Sequence, residues 1–178
     1  MSGQDGSCAP MFDSGLYVFV MRLRTPDFIQ VGALGRFHFP AGWYLYTGSA
    51  SKNLHKRVER HWALKKSVRW HMDYLSTALD SEPVGAVVLP ADAGLGECEL
   101  NQAIGRLIGG QNPAPGFGAS DCRAGCPAHL WFSLAPVSLL AVAQVHEKAA
   151  VLLPGAGVWE QELAQLADLD ETTDPDHP

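Results

Sequence analysis

The chain has 178 residues, 47% of them hydrophobic, with 13 Lys and Arg against 19 Asp and Glu for a formal net charge of -6. That is long enough for one sizeable core. No apolar run reaches the roughly 18–20 residues that span a bilayer, because the best candidate, 139–153, is broken by Gln144, His146, Glu147 and Lys148. The N-terminus carries no charged-then-apolar leader. The expectation is a cytoplasmic protein with no membrane partner, whose four cysteines stay reduced or bind metal.

Residues 1–13, rich in Gly, Ser and Asp, read as a disordered N-terminus. A β-rich run follows at 15–23. The stretch 28–39 is extended but interrupted by Gly32 and Gly35, which predicts a hairpin turning near Ala33 and Leu34. Pro40-Ala41-Gly42 then turns the chain into a strand over 43–48. Asn53 is the expected N-cap of a helix reaching about residue 64, with Leu54, Val58, His61 and Trp62 on one side and Lys56 and Arg60 on the other. Arg57 and His61, four apart, are neighbours at the border of that apolar stripe.

A second helix is expected over 70–79, a strand over 84–89 and a third helix over 96–108. The prolines and glycines of 113–121 demand a loop, and 129–134 reads as a last strand. After Pro136 the pattern weakens to Ala/Val/Leu-rich pieces, split by Pro154-Gly155 and ending in an acidic tip. The prediction is therefore α/β of the α+β kind: a small, mainly antiparallel central sheet flanked by helices over 14–135. Residues 136–178 would form an appendage with a disordered acidic tip.

Charge is unevenly placed. Between positions 52 and 69 seven basic residues (Lys52, Lys56, Arg57, Arg60, Lys65, Lys66, Arg69) face the single acid Glu59, whereas from residue 134 onward Lys148 stands against eight acids. The basic run reads either as a solvated helix face or as a phosphate-binding surface for nucleic acid, DNA in the first place.

The order Gly15-Leu16-Tyr17, then Tyr44-Leu45-Tyr46-Thr47-Gly48, then a Leu54-x-x-Arg57-x-x-x-His61 helix, Trp70-His71-Met72-Asp73-Tyr74-Leu75 and Pro115-Gly116-Phe117-Gly118 leading to Ser120-Asp121-Cys122 resembles the GIY-YIG nuclease superfamily. It resembles in particular a branch found in archaea and bacteria and sometimes fused to endonuclease III. The resemblance covers 15–134 and implies a metal-dependent endonuclease of the DNA repair or processing type. By that resemblance Tyr46 accepts the proton of the attacking water, Tyr17 supports the site by hydrogen bonding, Arg57 binds phosphate, and His61 positions nucleophile or substrate. One glutamate would hold Mg²⁺ or Mn²⁺. The position often occupied by lysine after the second tyrosine motif is Ser49, and Asn101 or Asn112 stands in for a closing asparagine.

Glu97 and Glu99 compete for the metal, and two residues apart on a helix they point about 200° from each other. Leu100, Ile104, Leu107 and Ile108 share the side of Glu97, which makes Glu97 the expected ligand; acids that merely complement the helix dipole are the alternative. Strand tyrosines also serve as packing residues, and His71 reads first as a buried, hydrogen-bonded histidine. Cys122-x-x-x-Cys126-x-x-His129, with Cys98 from the third helix, offers a Cys3His set for a structural Zn²⁺; small apolar packing is the competing reading. Two further functions stay open: a nucleic-acid-binding module without turnover, and a zinc-stabilised interaction domain whose acidic C-terminal segment mimics or shields nucleic acid.

Overall fold

The computed structural model describes residues 12–155. Residues 1–11 of the expected N-terminal tail, with Cys8, and the acidic tip lie outside the described residues. Asp13, assigned to that tail, is engaged: its carbonyl accepts the Leu54 N–H at 2.9 Å and its Oδ1 accepts the Asn53 N–H at 2.8 Å. Asn53 occupies the cap position in a left-handed conformation without donating or accepting a side-chain cap bond. The capping expected of its amide is thus supplied by a residue 40 positions earlier.

Strand β1 (Gly15–Leu23) is central, paired antiparallel with β4 (Gly42–Ala50) on one side and β5 (Ser81–Pro90) on the other. Short β6 (Leu130–Ser133) adds to β4, and β7 (Ala150–Leu152) adds to β5, giving the order β6-β4-β1-β5-β7. The predicted class holds: a mixed α+β fold around an antiparallel sheet flanked by helices. The boundary expected at 135 does not. Helix α4 (Leu139–Ala143) packs Val142 into the core and β7 completes the sheet. A three-residue strand of Ala, Val and Leu carries no alternation by which a sequence pattern could place it.

Both faces of the sheet are covered, which is why β1 is apolar along nearly its whole length. Tyr17, Phe19, Met21 and Leu23 face helices α1 (Leu54–Trp62) and α2 (His71–Ser76) together with a separate hairpin. That hairpin, β2 (Asp27–Val31) and β3 (Gly35–Phe39), turns through a 3-10 segment at Gly32–Leu34, where the two glycines place it. Leu16, Val18 and Val20 face the opposite way, toward α4 and α3 (Glu97–Ile108). On α3 the buried residues are Leu100, Asn101, Ile104 and Gly105, while Leu107, expected on the core side, is 48% exposed.

Helix α1 ends two residues short of expectation because Lys66 folds back on it, donating to the carbonyls of Arg60 (2.8 Å) and His61 (3.1 Å). Helix α2 is shorter than predicted as well: the Thr77 hydroxyl bonds the Asp73 carbonyl and the chain turns off, leaving Leu79 95% exposed. Among the described residues no helix is long and apolar enough to cross a membrane.

Candidate active site and metal cluster

In the β1–β4 register Tyr17 lies opposite Gly48 and Phe19 opposite Tyr46, so the two tyrosines are diagonal neighbours on one face. Their ring centroids are 6.2 Å apart. Tyr17 is 2% exposed, and its Oη is 3.0 Å from His61 Nε2. Gly48 gives the phenol its seat, since a Cβ there would come within 2.5 Å of Tyr17 Cζ. Burial, and next the neighbouring Tyr46, hold the Tyr17 hydroxyl well above the ordinary tyrosine range, with Arg57 opposing.

His61 is fully buried behind this phenol, among the rings of Tyr17, Phe19, Tyr46 and Trp70. Burial and then Lys66 push its pKa down to about 3, so the ring is neutral. This corrects the expectation that His61 positions nucleophile or substrate: its place in the α1 stripe points it at Tyr17 and away from solvent.

A cleft of about 310 Å³ opens in front of the tyrosines. Tyr17, Tyr46, Arg57 and Glu97 all line it, with Ser49, Arg69, Trp70, His71, Ser120 and Asp121. Arg57 donates to the Ser49 carbonyl at 2.7 Å and stacks 4.9 Å from the Trp70 ring, which fixes the guanidinium at the rim. His71, expected as a core residue, accepts the Gly118 N–H at Nδ1 (3.0 Å), so a neutral ring carries its proton on Nε2. Burial lowers its pKa and favours that neutral form. Gly118 sits at φ +69°, and a Cβ there would come within 2.5 Å of the Tyr46 ring. Tyr46 itself is only partly buried. Burial, then the Glu97 carboxylate, raise its hydroxyl far above the usual value, so at neutral pH it is a phenol rather than a ready proton acceptor.

Glu97 reaches this cleft although α3 packs on the opposite face of the sheet. Strand β6 pairs only with residues 43–46 of β4, after which the Thr47 N–H bonds the His129 carbonyl. Beyond that point β4 keeps β1 on one side but has no strand on its β6 side among the described residues, and the first residue of α3 comes round that open edge. Glu99 instead turns back to accept the Gly96 N–H at 2.7 Å, serving the helix terminus. The Glu97 carboxyl is held below its normal range: burial alone would raise it, but His129, Ser49 and the Arg57 charge outweigh that.

Glu97 Oε1 is 2.7 Å from His129 Nδ1. The other edge of that imidazole faces sulfur, with Nε2 3.8 Å from Cys98 Sγ, which in turn is 3.5 Å from Cys122 Sγ. The ligand atoms of Cys98, Cys122, Cys126 and His129 all lie within 4.8 Å of one another. A tetrahedron with bonds of about 2.3 Å has edges near 3.8 Å, so the four can close on a metal such as zinc. The Cys126 backbone N–H, chiefly, draws the Cys122 thiol down to about 6, while burial and the neighbouring sulfurs push Cys98 up to about 12. Three sulfurs gathered with an imidazole in one spot suit a soft cation that binds thiolates.

The basic residues divide. Lys52, Lys56 and Lys65 are exposed, and Arg69 lies at the cleft. Arg60 and Lys66, expected on the same surface, are committed inward. Arg60 is 2.6 Å from the fully buried Asp73 carboxylate, and the Lys66 side chain, 4% exposed, is 3.6 Å from it and donates to Ser76 Oγ. Asn101 and Asn112 close no site. Asn101 bonds the Ala128 carbonyl and accepts from the Trp131 indole, and Asn112 bonds the Leu130 carbonyl.

A family model described as "Domain of unknown function DUF123" matches residues 16–151. The chain belongs to this family. The DUF123 match runs from the second residue of β1 to the middle of β7, so it includes the cleft, the Cys/His cluster and the segment past residue 135. No curated protein and no solved structure matches the chain.

Proposed function

We propose that this DUF123 domain is a metal-dependent endonuclease that hydrolyses nucleic-acid phosphodiester bonds, DNA before RNA, in the manner of the GIY-YIG nucleases its motifs resemble. One observation carries the reading: Tyr17, Tyr46, Arg57 and Glu97, drawn from three distant stretches, line a single solvent-open cleft. Phosphodiester hydrolysis needs an oriented water, neutralisation of charge in the transition state and protonation of the leaving oxygen. Tyr46 orients the water through its phenol oxygen, and the Tyr17–His61 pair holds the back of the site rigid. Arg57, stacked on Trp70, meets the phosphate, and the Nε2–H of His71 donates toward its oxygens.

Glu97 is the residue that would hold Mg²⁺ or Mn²⁺, which tolerate a single protein carboxylate completed by water. The partly exposed Glu97 and the nearby Asp121 on a polar cleft fit that requirement. Such an ion would supply Lewis-acid stabilisation and lower the proton affinity of bound water. Lys52, Lys56, Lys65 and Arg69 would follow the nucleic-acid backbone. The Cys3His cluster is assigned to structural Zn²⁺, and its reduced cysteines suit a cytoplasmic setting.

The test is cleavage of nicked, flapped, branched and single-stranded substrates with Mg²⁺ or Mn²⁺, in wild type and in Tyr46→Phe, Arg57→Ala and Glu97→Gln. Loss of cutting by at least 100-fold in each variant, with binding retained, is expected. Binding by wild type without cleavage of any substrate would favour the alternative, a nucleic-acid-binding module. That alternative draws on one observation of its own, that one Glu97 oxygen lies only 2.7 Å from His129 Nδ1.

A further inference from the structure

We propose that His129 is a positioning residue that joins the two metal sites, holding a Cys-bound zinc through Nε2 and the Glu97 carboxylate through Nδ1, so that loading of the cluster fixes the carboxylate in the cleft. The observation is a chain of contacts. Cleft-lining Glu97 Oε1 is 2.7 Å from Nδ1, and on the far side of the ring Nε2 is 3.8 Å from Cys98 Sγ within the four-residue cluster. The His129 side chain is 3% exposed, so water does not compete for its nitrogens.

Sequence neighbours tighten the link. Glu97 and Cys98 are consecutive at the start of α3, and Cys122 directly follows Asp121, another residue of the cleft wall. An ion drawing Cys98, Cys122, Cys126 and His129 together therefore pins two walls of the cleft at once. A histidine bound to metal through one nitrogen presents the other as an N–H, and a carboxylate receiving it fixes the ring and raises its basicity. Glu97 thus has two duties, one oxygen serving the zinc-bound imidazole and the remainder of the carboxylate facing the cleft.

The catalytic consequence rests on the nuclease reading, but the test reads metal affinity and does not require cleavage. The full chain is titrated with Co²⁺ alone, followed by its ligand-field and sulfur-to-metal absorption, and Zn²⁺ is then competed in. Glu97→Gln is expected to weaken both ions 10–100-fold although Glu97 is no ligand, in line with the loss of an outer carboxylate. Glu99→Gln, two residues away, leaves affinity within about twofold because its carboxylate faces the helix end. In zinc-loaded wild type, long-range ¹H–¹⁵N spectra of the imidazole should show the proton on Nδ1 and the metal on Nε2, with that proton shifted upfield in Glu97→Gln. Should Glu97→Gln fail to fold, Glu97→Asp, which retracts the carboxylate, replaces it with the same expectation. Equal affinities for wild type and Glu97→Gln would overturn the proposal, as would a Cys122→Ser variant that binds Co²⁺ as wild type does.

Discussion

Replacing Asp73 by alanine tests whether the basic run at 52–69 is partly an internal framework. The carboxylate is fully buried, and its Oδ2 accepts the backbone N–H groups of Arg69 (2.9 Å) and Trp70 (3.0 Å) together with the Arg60 guanidinium (2.6 Å). Lys66, 4% exposed, sits at 3.6 Å from the other oxygen. Alanine removes the acceptor from all of these donors and leaves a buried ammonium without its counter-charge, a situation that costs about 3–5 kcal/mol. Against a total stability of about 5–15 kcal/mol this is a large fraction, equivalent to a fall in melting temperature of about 6–20 °C. Urea denaturation followed by tryptophan fluorescence and circular dichroism measures it. The donors outweigh burial and keep the folded-state pKa of Asp73 below its unfolded value. Its contribution is therefore whole above about pH 4 and lost as pH falls through the folded value. A loss under about 1 kcal/mol, or a pH profile unchanged below pH 4, would refute the claim that these cations are held internally.

The same division predicts opposite behaviour for two lysines. Lys56→Ala should lower the slope of log affinity against log salt for DNA by about 0.9 at unchanged stability, whereas Lys66→Ala should lower stability and leave the slope alone; fluorescence anisotropy at several salt concentrations separates them. Gly48→Ala drives a methyl group into the Tyr17 ring and should destabilise by about 1–3 kcal/mol while abolishing cleavage, and a second change, Tyr17→Leu, should restore stability without activity, as read by denaturation and cleavage assays. Because burial pushes His61 down to about 3 in the folded protein, wild-type stability should fall as pH drops from about 6.5 toward that value. His61→Phe should flatten that part of the profile in a pH series of thermal melts, and an unaltered slope would contradict a buried neutral imidazole.

Much of the fold was legible because its signals are local. The apolar run of β1, the two glycines of the hairpin, and the Leu54/Val58/His61 spacing each report on a neighbourhood of ten residues or fewer, and the structure places these elements where that spacing puts them. Helical periodicity separates Glu97 from Glu99, and the structure sets one on the cleft and the other at the helix end, but Glu97 gets there round the sheet edge, which periodicity does not record. What escaped depends on contacts across the chain. Nothing in Lys65-Lys66 distinguishes the exposed lysine from the one seated over Asp73, and His61 looks as available as Arg57 until β1 sets Tyr17 in front of it. His71 and Asp121 belong to the Trp70–Leu75 and Ser120–Cys122 motifs, yet their place on the cleft follows from the Gly118 loop, whose course no periodicity records.

Strand β7 has a practical bearing on how the domain is cut. A fragment ending at residue 135 would strip the Ala86–Val88 edge of its partner and take Val142 and Val151 out of the buried cluster that holds Leu16, Val18 and Val87. Unpaired backbone beside an apolar row invites other molecules to pair in its stead, so such a fragment should form insoluble aggregates even though every residue of the cleft is retained. Expression designs that stop no earlier than residue 155 keep that seam closed.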